Sequence, residues 1–201
     1  MIRVLVADDQ ALVRGAVVTL LGLEPDLDVV AEAGRGDEVL DLVRAHDVDV
    51  ALLDVEMPGM DGIEVCRSLI ASGMGVRSLI VTTFGRPGFV RRALEAGAAG
   101  FVVKDTPASE LADAVRRVHA GERVIDGALA AESLIEGANP LTVREQDVLR
   151  AALGGAPIAV VAKAVHLSEG TVRNYLSSAM AKTATSTRAE AAVHARDRGW
   201  L

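Results

Sequence analysis

The stretch Val50-Ala51-Leu52-Leu53-Asp54-Val55-Glu56-Met57-Pro58-Gly59-Met60-Asp61-Gly62 decides the fold. Four consecutive apolar residues suit a strand buried on both faces of a parallel sheet, and the run stops at a carboxylate. Pro and Gly then turn the chain tightly, and helical spacing begins near residue 61. Working outward, the same unit recurs. Strand-like runs lie near 2–7, 28–33, 49–54, 78–82 and 100–103, and helical patterns lie near 10–22, 36–46, 61–72, 87–96 and 107–120. Five such βα units in about 120 residues predict an α/β, flavodoxin-like (βα)5 domain, because parallel strands need helical crossovers on both faces.

Composition agrees with a folded chain. Half of the 201 residues are apolar, which excludes disorder and permits a core of useful size. The longest charge-free stretch, 151–162, contains Gly154, Gly155 and Pro157 and is too short to span a bilayer. Acids directly follow the first strand-like run, so no signal-peptide pattern opens the chain. The lone cysteine, Cys66, falls at helical spacing with Ile63 and Leu69 and reads as a small core residue. Together these point to a cytoplasmic protein without membrane insertion.

Charge divides the chain. Residues 1–120 carry a net −7, residues 121–138 a net −3, and residues 139–201 a net +3. The middle segment lacks a clear period and reads as a linker with a short helix near 126–136. From Asn139 onward the strand signal disappears. Thr142-Val143-Arg144-Glu145 is a capping box opening a helix whose apolar face is Val148, Leu149, Ala152 and Leu153, and Gly154-Gly155 stops it. A second helix follows Pro157, Ser168 caps a third, and Thr187-Arg188-Ala189-Glu190 is the capping box of a fourth that runs to Gly199. Four short helices with tight turns predict a small all-α helix-turn-helix domain over 139–201.

Chemistry gathers at the strand ends. Asp8 and Asp9 close the first run, Asp54 the third, Thr82 the fourth and Lys104 the fifth. In a parallel sheet these carboxyl ends share one edge, where ligands bind. Converging carboxylates repel unless a cation neutralises them, and hard oxygen donors in a hydrated cluster suit Mg²⁺. A carboxylate in that setting can act as a nucleophile toward phosphorus. Lys104 supplies a fixed positive charge and Thr82 a hydroxyl able to meet a phosphate oxygen. Carboxylates with Mg²⁺ also serve phosphohydrolases, but Val55-Glu56 after Asp54 is not the Asp-x-Asp spacing expected there.

With these residues in place, residues 1–120 resemble the receiver domain of two-component response regulators. The likeness is carried by Asp8-Asp9, by Asp54 with Met57-Pro58-Gly59-Met60-Asp61-Gly62, by Thr82, and by Phe101 with Lys104-Asp105. Residues 139–201 resemble the LuxR-type helix-turn-helix domain through Leu141-Thr142, Arg144-Glu145, Val148-Leu149, Leu167-Ser168, Thr171-Val172-Arg173-Asn174, Lys182, Arg188 and Glu190-Ala191. The whole chain is thus similar to the NarL/FixJ class. The resemblance implies that Asp54 accepts phosphate from a sensor histidine kinase. Asp9, Asp54 and the backbone carbonyl of Glu56 would bind Mg²⁺, with Asp8 acting through water. Thr82 and Phe101 would form the switch pair, and phosphorylation would promote a homodimer that binds double-stranded DNA.

In the third helix of the C-terminal domain, Val172, Leu176 and Met180 are expected inward and Arg173, Asn174 and Ser177 outward. Arg reads guanine and Asn adenine in the major groove. Thr171, Lys182 and Arg188 are better placed for phosphates. Ala192, Val193 and Ala195 of the last helix would offer a dimer face. Ile158-Ala159-Val160-Val161 replaces the polar residues usual in the second helix, which leaves a second reading. In that reading the C-terminal domain is degenerate and acts by protein–protein interaction.

Overall fold

Six parallel strands run in the order β2-β1-β3-β4-β5-β6. The computed structural model describes residues 1–83, 87–125 and 139–201. The first unit contains β1 (Ile2–Ala7), α1 (Ala11–Leu21), β2 (Leu27–Ala33), α2 (Val39–His46), β3 (Val50–Leu53) and α3 (Gly62–Ser72). It continues with β4 (Arg77–Thr82), α4 (Pro87–Glu95), β5 (Gly100–Val103), α5 (Ala108–His119) and β6 (Val124–Ile125). A single 3-10 turn, Gly36–Glu38, precedes α2 within the stretch expected to be one helix.

The core sits where the sequence runs are most apolar. All four residues of β3 are buried, and the central strands pack on Leu111, Ala112, Val115 and Val118 of α5. Strand order reverses between β1 and its two neighbours, β2 and β3, and the crevice this opens lies at the carboxyl ends of β1 and β3. Gly62 shows how tightly α3 approaches that crevice: a Cβ there would collide with the Asp54 carbonyl oxygen. Asp61 caps α3 by accepting the Glu64 N–H at 2.7 Å.

The sixth strand was not expected. Val124–Ile125 pairs parallel with Gly100–Phe101, inside the segment read as linker. Gly121, at φ +97°, turns the chain back after α5, and the Val124 N–H donates to Ala99 O at 3.0 Å. Two residues are too few to show a period. The short helix expected near 126–136 lies outside the described residues.

The second compact unit holds α6 (Val143–Ala152), α7 (Ile158–Ala164), α8 (Glu169–Thr183) and α9 (Arg188–Asp197). Both expected capping boxes form, at Thr142 with Glu145 and at Thr187 with Glu190. Ser168 caps α8 through the Thr171 N–H. The turn between α7 and α8 places His166 at φ 54°, with the Leu167 N–H bonded to Ala162 O.

Two expectations fail here. Leu153 follows the last turn of α6 and is 39% exposed, so it does not complete the apolar face. Ala192 and Ala195 are buried in the unit's own core with Val148, Leu149 and Trp200, so of the suggested dimer face Val193 alone is exposed. Small side chains on α9 let the helix sit close to its neighbours, which consumes the face that spacing suggested was free.

Candidate functional site

At the carboxyl edge of the sheet, Asp8, Asp9 and Asp54 each offer an oxygen within 4.8 Å of the others. Backbone bonds fix two of them: Asp8 N–H donates to Ala33 O and Asp54 N–H to Ala7 O. Asp8 also accepts the Gln10 N–H at 2.9 Å, which closes the turn into α1. Asp8 and Asp54 are buried, whereas Asp9 is exposed.

Lys104 reaches into this group. Its Nζ lies 2.7 Å from Asp8 Oδ2 and 2.9 Å from Asp54 Oδ2. Its own backbone N–H donates to Thr82 O at 2.7 Å, so β4 and β5 position the ammonium together. Burial pushes the Asp54 carboxyl above the usual carboxylate range, against the pull of Lys104. Burial works to lower the Lys104 ammonium, but its hydrogen bonds to Asp8 and Asp54 prevail and raise it. Thr82 ends β4 as a buried residue, and Phe101 is fully buried in β5 opposite Ile80. Glu56 is exposed in the loop after Asp54.

The edge therefore brings together Asp8, Asp9, Asp54, Thr82 and Lys104 as the alternation of strands and helices required. Three hard carboxylates, one of them open to solvent, are a donor set that fits a small divalent cation. A cluster with one fixed ammonium can neutralise and orient a transferred phosphoryl group.

The residues expected at DNA are distributed less simply. Arg173, Asn174 and Ser177 are exposed on one side of α8, while Val172 and Leu176 are buried on the other. Met180 is half-buried. Arg173 pairs with Glu169 at 2.8 Å across one exposed turn. Thr171 bonds Ser168 at 2.8 Å as part of the cap. Arg188 donates to Ala156 O at 2.9 Å, in the loop before α7. Lys182 makes a 2.7 Å ion pair with Glu145.

Local spacing makes Glu145 half of a capping box, and the LuxR-type likeness includes it, but neither signals its burial or its distant partners. It is 3% exposed, and its two oxygens accept from Thr142 N at 2.6 Å, Ser178 Oγ at 2.6 Å and Lys182 Nζ at 2.7 Å. Burial alone would raise this carboxyl, but Lys182, Ser178 and Thr142 outweigh it and bring it down to about 2. The partners lie 33 and 37 residues away, so no local spacing signals them.

A doubly wound domain with an acidic edge, followed by a helix-turn-helix unit, defines the class of regulators that join a signal-receiving domain to an effector. Comparison with known families agrees. Residues 4–116 match the response regulator receiver domain, and residues 139–195 match the bacterial regulatory proteins of the luxR family. The transcriptional regulatory protein DesR of Bacillus subtilis is 39% identical over 201 residues, the full length of both chains. The DNA-binding transcriptional activator DevR/DosR of Mycobacterium tuberculosis is 39% identical, covering 98% of this chain and 95% of its own. The crystal structure of ChrA, the response regulator of a heme-sensing two-component system, is 32% identical with a TM-score of 0.59, covering 100% of this chain and 98% of that one.

The chain belongs to the NarL/FixJ family of response regulators. It is a transcriptional response regulator with a receiver domain and a LuxR-type DNA-binding domain. No helix among the described residues is long and apolar enough to cross a membrane.

Proposed function

We propose that Asp54 is the phosphoacceptor of a cytoplasmic switch in which residues 1–120 receive the signal, 121–138 link, and 139–201 bind double-stranded DNA. A carboxylate oxygen of Asp54 attacks the phosphorus of a phosphohistidine on a sensor kinase. The new O–P bond forms as the P–N bond breaks, and the departing imidazole nitrogen takes a proton. Asp9, Asp54 and the Glu56 carbonyl would hold Mg²⁺, with Asp8 acting through water. When bound, Mg²⁺ supplies positive charge to the carboxylates and to a phosphate oxygen. Lys104 is the counter-charge, and the Thr82 hydroxyl turns toward the phosphate oxygens. Phe101, fully buried in β5, would be its switch partner, its ring moving into the space the hydroxyl vacates.

The observation that carries this reading is the single ammonium of Lys104 held between Asp8 and Asp54 at 2.7 and 2.9 Å. A phosphoryl on Asp54 adds roughly −2 of charge beside that ammonium. Such a group competes with Asp8 for Lys104 and biases the edge between two arrangements. The output is a homodimer that sets two α8 helices on a two-fold site. Sedimentation velocity with and without beryllofluoride and Mg²⁺ tests it. The dimer fraction should rise in the wild type and stay unchanged in Asp54→Ala; an equal response in both would refute the reading.

One observation favours a second reading. Val160 is 55% exposed on α7, where a polar phosphate contact would serve DNA. An effector unit that acts by protein–protein interaction would use that apolar surface. Failure of the beryllofluoride-treated dimer to bind any duplex at low salt would select it.

A further inference from the structure

The C-terminal unit has a cation that the expected DNA contacts counted and its geometry assigns elsewhere. We propose that Lys182 is a positioning residue for α8 and not a phosphate ligand, acting through its ion pair with the buried Glu145 to orient the recognition face. The inference rests on the DNA-binding reading of this unit and specifies how that site is built.

Three facts support it. Glu145 belongs to the first turn of α6, and Lys182 to the last turn of α8. The pair therefore joins one end of each helix, a carboxylate at an N-terminus and an ammonium at a C-terminus, as the helix dipoles favour. Second, both carboxylate oxygens are occupied: Ser178, four residues before Lys182, holds Oε1 while Lys182 and the Thr142 N–H hold Oε2. Two points on one helix and one on another set the roll of α8 as well as its distance. Third, drawing Lys182 out to a phosphate would leave an ionised carboxylate buried without its cation, which is strongly unfavourable.

The roll matters because Arg173, Asn174 and Ser177 lie on the same helix, exposed on its outer side. A small rotation about the α8 axis moves all three relative to base edges together, whereas phosphate attraction tolerates such a shift. Loss of the pair should therefore reduce sequence discrimination more than non-specific affinity.

The test measures binding of the full chain to two probes over a salt series. One is a 25-base-pair duplex recovered by selection from a random pool, and the other is the same duplex with its sequence scrambled. Each phosphate-bound cation contributes about −0.9 to the slope of log K against log salt. For Lys182→Met combined with Glu145→Gln, which removes both charges at once, the slope should match wild type. Discrimination between the probes should fall about tenfold. Lys182→Arg, which keeps the charge, should restore discrimination to within about twofold and also guards against a double variant that fails to fold.

A slope shallower by about one in the double variant would make Lys182 a phosphate ligand and overturn the proposal. Unchanged discrimination in a folded double variant, or no rescue by Arg, would overturn it equally. If the wild type binds neither probe, the DNA-binding reading itself falls and takes the proposal with it.

Discussion

Lys104 faces two buried carboxylates at once, and burial disfavours the charge of Asp54. These two residues should respond in opposite ways to substitution. Lys104→Met leaves Asp8 and Asp54 without their common cation and should destabilise the receiver by about 3 kcal/mol, as breakage of a buried pair does. Asp54→Asn removes a carboxylate whose ionisation burial opposes, so at neutral pH it should raise the melting temperature of the receiver. Thermal melts of both variants check the pair of signs. An Asp54→Asn receiver that melts lower than wild type would mean that the Lys104 contact outweighs burial.

At the scale of elements, α3 is pressed onto the loop that follows Asp54 through Gly62. Gly62→Ala places a methyl group against the Asp54 carbonyl, so either the loop or the helix must move. The expected loss is about 1–3 kcal/mol of stability, as for other overpacked sites, together with slower phosphorylation by acetyl phosphate.

In the other unit, α6 and α8 are joined by Glu145, whose carboxyl falls from the ordinary 4.5 to about 2 on folding. A depressed acid contributes stability that is fully present above its unfolded pKa and is lost as pH falls through the folded one. Acid titration should therefore remove about 3 kcal/mol between pH 4.5 and 2. The chain's single tryptophan, Trp200, is buried in the same unit and reports its unfolding by fluorescence. In Glu145→Gln this acid-dependent share should vanish.

What the sequence disclosed follows from where its signals are local. β3 was legible because four apolar residues in succession end at a charge, and Asp54 was legible because it is that charge. Ser168, Thr142 and Thr187 were legible because a cap and its partner sit three residues apart. β6 was not, since Val124 and Ile125 are too few to show a period and owe their place to Ala99 and Gly100. Lys182 reads as a phosphate contact in the sequence because its partner Glu145 is 37 residues distant. Ala192 and Ala195 read as a surface because alanine carries no strong signal for either side of a helix.

At the scale of the whole molecule, an acidic half and a mildly basic half are joined in one chain, with net charges of −7 for residues 1–120 and +3 for residues 139–201. Such asymmetry suits a chain whose one end collects cations at a phosphate site while the other approaches a polyanion. The +3 is modest and two of its contributors, Lys182 and Arg188, have internal partners. One copy should accordingly bind DNA weakly, and affinity should come from pairing two copies.

Everything downstream depends on which residue takes the phosphoryl group. Intact-mass spectrometry after incubation with acetyl phosphate and Mg²⁺ measures that directly, on wild type beside Asp54→Ala. A single added phosphoryl group on the wild type and none on Asp54→Ala is the predicted result. Equal labelling of the two would contradict the account.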